Sequence, residues 1–237
     1  MKTLLKLIRL EMRKHRFARN FAGAGIANIA VLLFLIMIGF VDVGAEDYAY
    51  GDYQTAFMII DTFVRATFII FAGALISKLV ISEYRNKTMN VMFTYPIQRH
   101  KIIAAKLIIV FGFTFVMIMV TDLLMGSMLL IVNQFYSFIP GSLTNQDILG
   151  LLLKYSMNSL SAASMALIPL FFGMRKHSVT TTMVSSILLV LVVCSGFSGN
   201  GLDVSIHSLI VIPLTLGAIG LWIASMSMVR LETKDVN

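Results

Sequence analysis

Long uninterrupted apolar runs constrain this chain more than any other feature. A helical run of about 18 or more apolar residues is long enough to cross a hydrocarbon core of roughly 30 Å. Six such runs predict membrane-spanning helices at residues 21–41, 56–81, 102–134, 148–173, 179–197 and 208–229. Hydrophobic residues fill 58% of the 237 positions and charged residues 13%, too few to coat a soluble globule. The predicted fold class is an all-α membrane protein with six transmembrane helices.

The Lys and Arg content of the connecting segments predicts the orientation. Residues 42–55 contain four acidic residues and no Lys or Arg, whereas residues 82–106 contain five Lys/Arg and one acidic residue. The first segment is therefore expected outside and the second in the cytoplasm. The alternation continues, because 135–147 and 198–207 have no Lys or Arg, while 174–178 has two and the tail has two. We expect a multi-pass protein of a bacterial plasma membrane with both termini in the cytoplasm.

Residues 1–20 form a basic amphipathic segment. Steps of four and three separate most of its cations, which include Lys2, Lys6, Arg9, Arg13 and Arg16. Apolar residues occupy the opposite side, which predicts a helix lying in the cytoplasmic interface with its cations at the lipid headgroups. Glu11 falls on the apolar face, so we expect it to pair with another segment of this protein or of a partner. With no cleavage site after a short apolar stretch, the segment does not read as a removed signal peptide.

Several functional classes find no support in the sequence. The single cysteine, Cys194, allows neither an internal disulfide nor a cysteine-based metal site. The four histidines are scattered, and neither HExxH nor GxSxG occurs. The formal charge of +7 is concentrated beside apolar runs, which indicates anionic lipid rather than nucleic acid. No linker or repeat divides the chain, so we expect an interfacial helix at 1–20 and one six-helix membrane domain at 21–237.

The connection after the second span, residues 83–99, has the composition of a docking surface. Thr88 can cap a short helix over 89–94, and Pro96 disfavours helix in the residue before it. The apolar side chains that this helix would expose are Met92, Phe93 and Tyr95. Exposed aromatic residues ringed by charge are typical of a protein interface. The alternative is a loop that rests on lipid headgroups, with its Lys and Arg only setting the topology.

The chain resembles the type 2 permeases of ATP-binding-cassette exporters, in the small six-span form found among peptide-antibiotic and bacteriocin export and immunity permeases. The resemblance rests on the N-terminal helix with its embedded Glu11 and on the order Glu83, Thr88, Pro96, Arg99, Lys106. It departs at Lys87, where family members often have glycine. In that family the short helix after the second span is the coupling helix, which sits in a cleft of the ATPase. The resemblance assigns ATPase docking to Glu83, Thr88, Met92, Phe93, Tyr95, Pro96 and Arg99, with Arg9, Glu11 and Arg13 on the interfacial helix.

The ATPase itself is expected on another chain. No GxxxxGK[ST] loop occurs, so the chain is not expected to be an enzyme or to bind a cofactor, and ATP and Mg²⁺ would bind the partner. The resemblance implies two permeases and two ATPases, with a second copy or a similar permease completing the membrane part. The expected function is ATP-driven export of antimicrobial or toxic peptides, for secretion or for self-protection as a form of antibiotic resistance. The alternatives are a non-transporting membrane scaffold or assembly protein, and an ion-coupled secondary transporter.

Three charged residues lie within predicted spans. Asp61 and Arg65 are spaced i, i+4 in the second span and can pair on one helix face, and Asp122 lies in the third. Ionisable groups at membrane depth are expected to face protein or water and to have a partner. They could mark the substrate path or a gate, but a structural pair near the outer leaflet is favoured because Asp61 lies close to the outer end. Small and hydroxylated residues in the fourth and fifth spans predict close helix contacts rather than a polar lining.

Overall fold

The computed structural model describes residues 7, 8, 10, 11, 17–41, 53–85, 99–136, 145–176, 178–195, 215, 217, 218, 220 and 222. This part of the chain contains helices and no strand. The helices are α1 (Phe17–Val41), α2 (Tyr53–Ile76), α3 (Ser82–Arg85), α4 (Arg99–Tyr136), α5 (Asn145–Met165), α6 (Ile168–Lys176) and α7 (Val179–Ser195). A π-helix, Ser77–Ile81, joins α2 to α3 without interrupting the helical backbone. The predicted all-α class is confirmed for these residues.

Four helical stretches in the described residues are long and apolar enough to cross a membrane. They are Asn20–Ile38, Tyr53–Arg85, Ile102–Gln134 and Gly150–Lys176. These correspond to the first four predicted spans, and the third agrees at both ends. The second continues past its predicted end, since the polar residues of α3 remain helical.

The last two predicted spans are only partly described. The fifth, 179–197, coincides with α7, whose apolar part Val179–Cys194 is shorter than the other four spans. Within the sixth, 208–229, the described residues 215, 217, 218, 220 and 222 are helical. The count of six crossings therefore stays a prediction.

The continuous helix from α2 to α3 forms the centre of the described bundle. Its inward residues Ile60, Val64 and Phe68 are buried, and α2 contacts α1, α4, α5 and α7. α2 and α4 are antiparallel, because Asn133 donates to the Tyr53 hydroxyl (2.7 Å) at one end while Lys106 bonds Leu79 at the other. The peripheral α1 instead exposes large apolar side chains, an arrangement suited to a surface in lipid.

Glycine and small polar residues allow the helices to approach closely. A Cβ added to Gly73 of α2 would lie 2.7 Å from the Ser186 Cβ of α7, and one added to Gly173 of α6 would overlap the Thr182 hydroxyl. A Cβ on Gly220 would lie 2.5 Å from the Ser164 carbonyl oxygen of α5. The small residues in these spans therefore form helix contacts, as the sequence predicts.

A break divides the fourth predicted span into α5 and α6. Pro169 has no N–H with which to continue the α-helical ladder. Leu167 N–H instead donates to the Ser164 carbonyl three residues back (3.2 Å), and Leu170 N–H donates to the Leu167 carbonyl (3.1 Å). The chain therefore makes a tight turn at residues 166–167 and resumes as α6. The hydropathy pattern alone does not reveal this break.

Candidate functional site

One candidate site lies where the second and third spans meet the connecting segment 86–98. Lys106 of α4 is fully buried, with 0% of its surface exposed. Its Nζ donates to the Leu79 carbonyl oxygen at 2.8 Å and to the Glu83 carboxylate, with which it forms an ion pair. Its Nζ also lies 3.8 Å from Glu11 Oε1. We call these four residues the Lys106 junction.

The π-helix positions two of the groups that Lys106 meets. Its wider turn is closed by a bond from the Ser82 N–H to the Ser77 carbonyl, five residues back. The Leu79 carbonyl, from the middle of this segment, accepts from Lys106, and Glu83 follows one residue after Ser82. A buried ammonium is tolerated only with charge and hydrogen-bond partners, and the carbonyl and the carboxylate supply both.

Glu11 connects the N-terminal helix to this junction. Residues 7, 8, 10 and 11 are helical, and Glu11 is buried. Lys106 is a cationic neighbour, so the expected pairing of Glu11 with another segment of the protein is found. A second polar bond ties α1 to the π-helix, from Lys78 Nζ to Asn20 Oδ1 at 3.0 Å.

The predicted docking residues fall in different places. Glu83 is only 6% exposed, and its carboxylate accepts a hydrogen bond from Lys106 inside the protein. Arg99 is the first residue of α4. The other predicted docking residues lie outside the described part of the chain; they are Thr88, Met92, Phe93, Tyr95 and Pro96. Arg9 and Arg13 of the predicted interfacial helix lie outside it as well. Docking by these residues stays a prediction.

A second polar cluster lies within the spans. Arg65 Nη2 is 2.8 Å from Asp61 Oδ2, and Asn158 Nδ2 of α5 donates to the same oxygen at 2.8 Å. The ion pair expected from the i, i+4 spacing therefore forms within α2. Asn158, 97 positions from Asp61, could not be assigned to the pair from sequence because no local spacing connects them.

Two adjacent layers of side chains place Asp122 beside this pair. In one layer, a Cβ on Gly126 of α4 would lie 3.4 Å from the Phe57 ring and 3.9 Å from the Tyr155 hydroxyl. The next layer lies one helical turn away. There Asp61 follows Phe57 on α2 and Asn158 follows Tyr155 on α5, while Asp122 precedes Gly126 on α4, because α4 is antiparallel to α2. Asp61 and Asp122 therefore face the same three-helix contact. Asp122 is close enough to Asp61 and Arg65 to interact electrostatically with both.

Asp122 departs from the expectation that every charged group in a span has a bonded partner. It is fully buried, and neither carboxylate oxygen has a hydrogen bond. The Tyr155 hydroxyl and Asp61 Oδ1 are also buried without one. In the described residues, no three or more His, Cys, Asp or Glu side chains form a group that could hold a metal ion. We call Asp61, Arg65, Asp122, Tyr155 and Asn158 the intramembrane cluster.

Comparison with known proteins identifies the family. Residues 7–195 match the model of the family described as "ABC-2 family transporter protein". The chain is also similar to "Uncharacterized protein YcbO" of Bacillus subtilis (strain 168), with 41% identity over 231 residues, which are 98% of this chain and 100% of that protein. No solved structure matches the present chain. The family match covers most of the chain, including the Lys106 junction and the intramembrane cluster, and the chain therefore belongs to the ABC-2 family of transporter proteins.

Proposed function

We propose that this chain is the permease subunit of an ATP-driven exporter and that its ATPase docks on residues 83–99 and on the N-terminal helix. An ABC-2 membrane protein is the non-ATPase transmembrane component of an ABC transporter, so a partner ATPase is implied. The observation that carries the proposal is the Lys106 junction. It joins Glu83, at the start of the proposed docking segment, to α4, the helix that follows the segment, and to the N-terminal helix through one buried ammonium.

The junction gives a route by which ATPase movement would reach the spans. The connection 86–98 begins after Arg85, the last residue of α3, and enters α4 at Arg99. Because Glu83 and Lys106 are joined, the two helices cannot separate at this end without breaking a buried ion pair. A push on the connection would therefore move both spans together rather than part them. Glu11 would carry the same displacement to the N-terminal helix.

The proposed assembly contains two permeases and two ATPases in a bacterial plasma membrane. The orientation has both termini and residues 83–99 in the cytoplasm, supported by the Lys and Arg distribution of the connections. Six crossings form one membrane domain at 21–237, with residues 1–20 as the interfacial helix. The second permease is another copy of this chain or a similar permease.

The proposed cargo is an antimicrobial or toxic peptide. Support comes from the resemblance to small six-span permeases of peptide export and immunity, and from a chain rich in methionine and phenylalanine, with 16 and 17 residues. The test compares cells with and without the gene for survival in a panel of antimicrobial peptides. Equal survival across the panel would contradict the peptide cargo without affecting the ATPase-docking proposal.

The docking proposal is tested by purifying the chain together with the ATPase that associates with it and measuring ATP turnover in proteoliposomes. Changing Phe93 and Tyr95 to Ala should lower turnover and ATPase retention, because both aromatic anchors are removed. Changing the exposed Phe172 of α6 to Ala serves as a control of similar chemistry away from the segment. If the double variant retains its ATPase and its turnover, residues 83–99 are not the docking site.

An ion-coupled secondary transporter is a second candidate, favoured by the buried carboxylate of Asp122. It would move cargo into liposomes under a proton or sodium gradient without ATP. Cargo movement that requires ATP and is indifferent to both gradients would exclude it.

A further inference from the structure

The intramembrane cluster contains more hydrogen-bond acceptors than the protein satisfies. Its buried oxygens without a hydrogen bond are Asp61 Oδ1, Asp122 Oδ1, Asp122 Oδ2 and the Tyr155 hydroxyl. They come from three helices, α2, α4 and α5, that meet in adjacent layers of the bundle. Each unsatisfied buried acceptor is unfavourable by itself, and several in one place indicate that something else meets them.

The Tyr155 hydroxyl favours an occupant larger than a proton on Asp122. The oxygen lone pairs of the Tyr155 hydroxyl meet no hydrogen-bond donor among the described residues, and neither Asp122 oxygen is within hydrogen-bond distance of that hydroxyl. A proton on Asp122 would neutralise that carboxylate but leave the tyrosine unpartnered. A species placed between the oxygens could contact several of them at once.

The charges favour a single positive charge. The Arg65 guanidinium is committed to Asp61, through the ion pair and through a bond from its Nε to the Asp61 carbonyl oxygen at 3.3 Å. The ammonium of Lys154, one turn before Asn158, acts electrostatically on Asp61 and Arg65. Asp122 has no ion pair of its own among the described residues. Arg65 and Lys154 both act on Asp61, so Asp122 is the carboxylate left for a cation to meet directly, and a monovalent cation adds less excess charge there than a divalent one.

We propose that the oxygens of Asp61, Asp122 and Tyr155 form a binding site for one monovalent cationic group, either an alkali metal ion or a primary ammonium group. Asp122 supplies the charge, and the Tyr155 hydroxyl and Asp61 Oδ1 supply neutral or already compensated oxygen ligands. The site goes beyond ATP-driven export, because it requires neither an ATPase nor a peptide cargo.

The test measures thermal unfolding of the purified full chain in lipid micelles, with the fluorescence of the single tryptophan, Trp222, as the readout. The reference salt is N-methylglucamine chloride, which is replaced at constant ionic strength by sodium, potassium or methylammonium chloride. We expect Tm to rise by several degrees and to increase with the logarithm of cation concentration, since the ligand binds the folded state. A rise with sodium or potassium identifies an alkali metal site, and a rise with methylammonium alone identifies an amine site.

Three variants locate the effect. Asp122→Asn, which keeps the shape and removes the charge, should abolish the rise. Tyr155→Phe should require several-fold more cation for the same rise, and it serves as the test should Asp122→Asn fail to fold. Ser159→Ala is the matched control on α5, since the Ser159 hydroxyl already bonds the Ser156 carbonyl at 3.0 Å, and it should respond as the unaltered chain does.

Two results would overturn the proposal. A Tm that depends on pH but on none of the three cations would mean that Asp122 only holds a proton. An undiminished cation response in both Asp122→Asn and Tyr155→Phe would place the binding elsewhere. Neither result bears on ATPase docking.

Discussion

Lys106 and Glu83 form an ion pair across 23 positions of sequence, with the lysine fully buried. The pair connects α3 to α4, the two helices on either side of the connection 86–98. Its ammonium also satisfies a carbonyl of the π-helix and approaches Glu11, so that one side chain holds three segments of the chain together. A buried group with this many partners should be sensitive to the loss of any one of them.

Changing Lys106 to Met should destabilise the chain by about 3–5 kcal/mol, because it removes the ammonium from beside two buried carboxylates. Adding Glu83→Gln should recover part of this loss, since one of the two buried negative charges is then removed. The measurement is reversible unfolding in mixed micelles. Lys78→Met is the control, as Lys78 is half-buried and bonded to the neutral Asn20, and its loss should be smaller, at about 1–2 kcal/mol. Equal losses for the two lysine variants would contradict a special role for the junction.

The local part of these sites could be predicted from sequence, and the long-range part could not. Spacing along one helix predicts the pair of Asp61 with Arg65, and hydropathy predicts the limits of the third span. The position of Glu11 on an apolar helix face predicts that it has a partner. Nothing in the sequence identifies that partner as Lys106, a residue of another helix far along the chain. The π-helix has no sequence signature, and the bond from Asn158 to Asp61 depends on how three helices pack.

Changing Gly73 to Ala should destabilise the bundle by about 1–3 kcal/mol, because the added Cβ would lie 2.7 Å from the Ser186 Cβ and would force α2 and α7 apart. Gly112→Ala is the matched control in α4, where an added Cβ meets nothing within 4 Å. That variant should be neutral or more stable by up to about 1 kcal/mol, through helix propensity. Both are measured by unfolding in micelles.

A second substitution distinguishes a steric effect from a general one. Ser186→Gly should restore stability to the Gly73→Ala variant, whereas Ser186→Ala should not, because alanine keeps the Cβ that causes the clash. Rescue by alanine would mean that the serine hydroxyl, rather than the backbone approach, limits the contact.

Asn158→Leu should destabilise the chain by about 1–3 kcal/mol, since it removes the donor to Asp61 Oδ2 while keeping a side chain of similar volume. Ser156→Ala, on the same helix, should change stability by about 0.5 kcal/mol or less, because its hydroxyl bonds the Leu153 carbonyl of its own helix. A cycle that combines Asn158→Leu with Asp61→Ala, which removes the acceptor, should be non-additive, as the two side chains share one bond. Additive losses would mean that the bond contributes nothing of its own.

Cysteine labelling tests the predicted six crossings, because four and six crossings place residues 198–207 differently relative to the membrane. On a Cys194→Ser background, Asp52→Cys and Asp203→Cys should react with a membrane-impermeant maleimide in intact cells, and Lys87→Cys and Thr233→Cys only after the cells are opened. The control is Lys176→Cys. Lys176 is the last residue of α6 and precedes α7, so this cysteine should also be protected in intact cells. Protection of Asp203→Cys in intact cells would show that α7 does not cross, since α7 is the helix that would carry the chain from residue 176 to the outside.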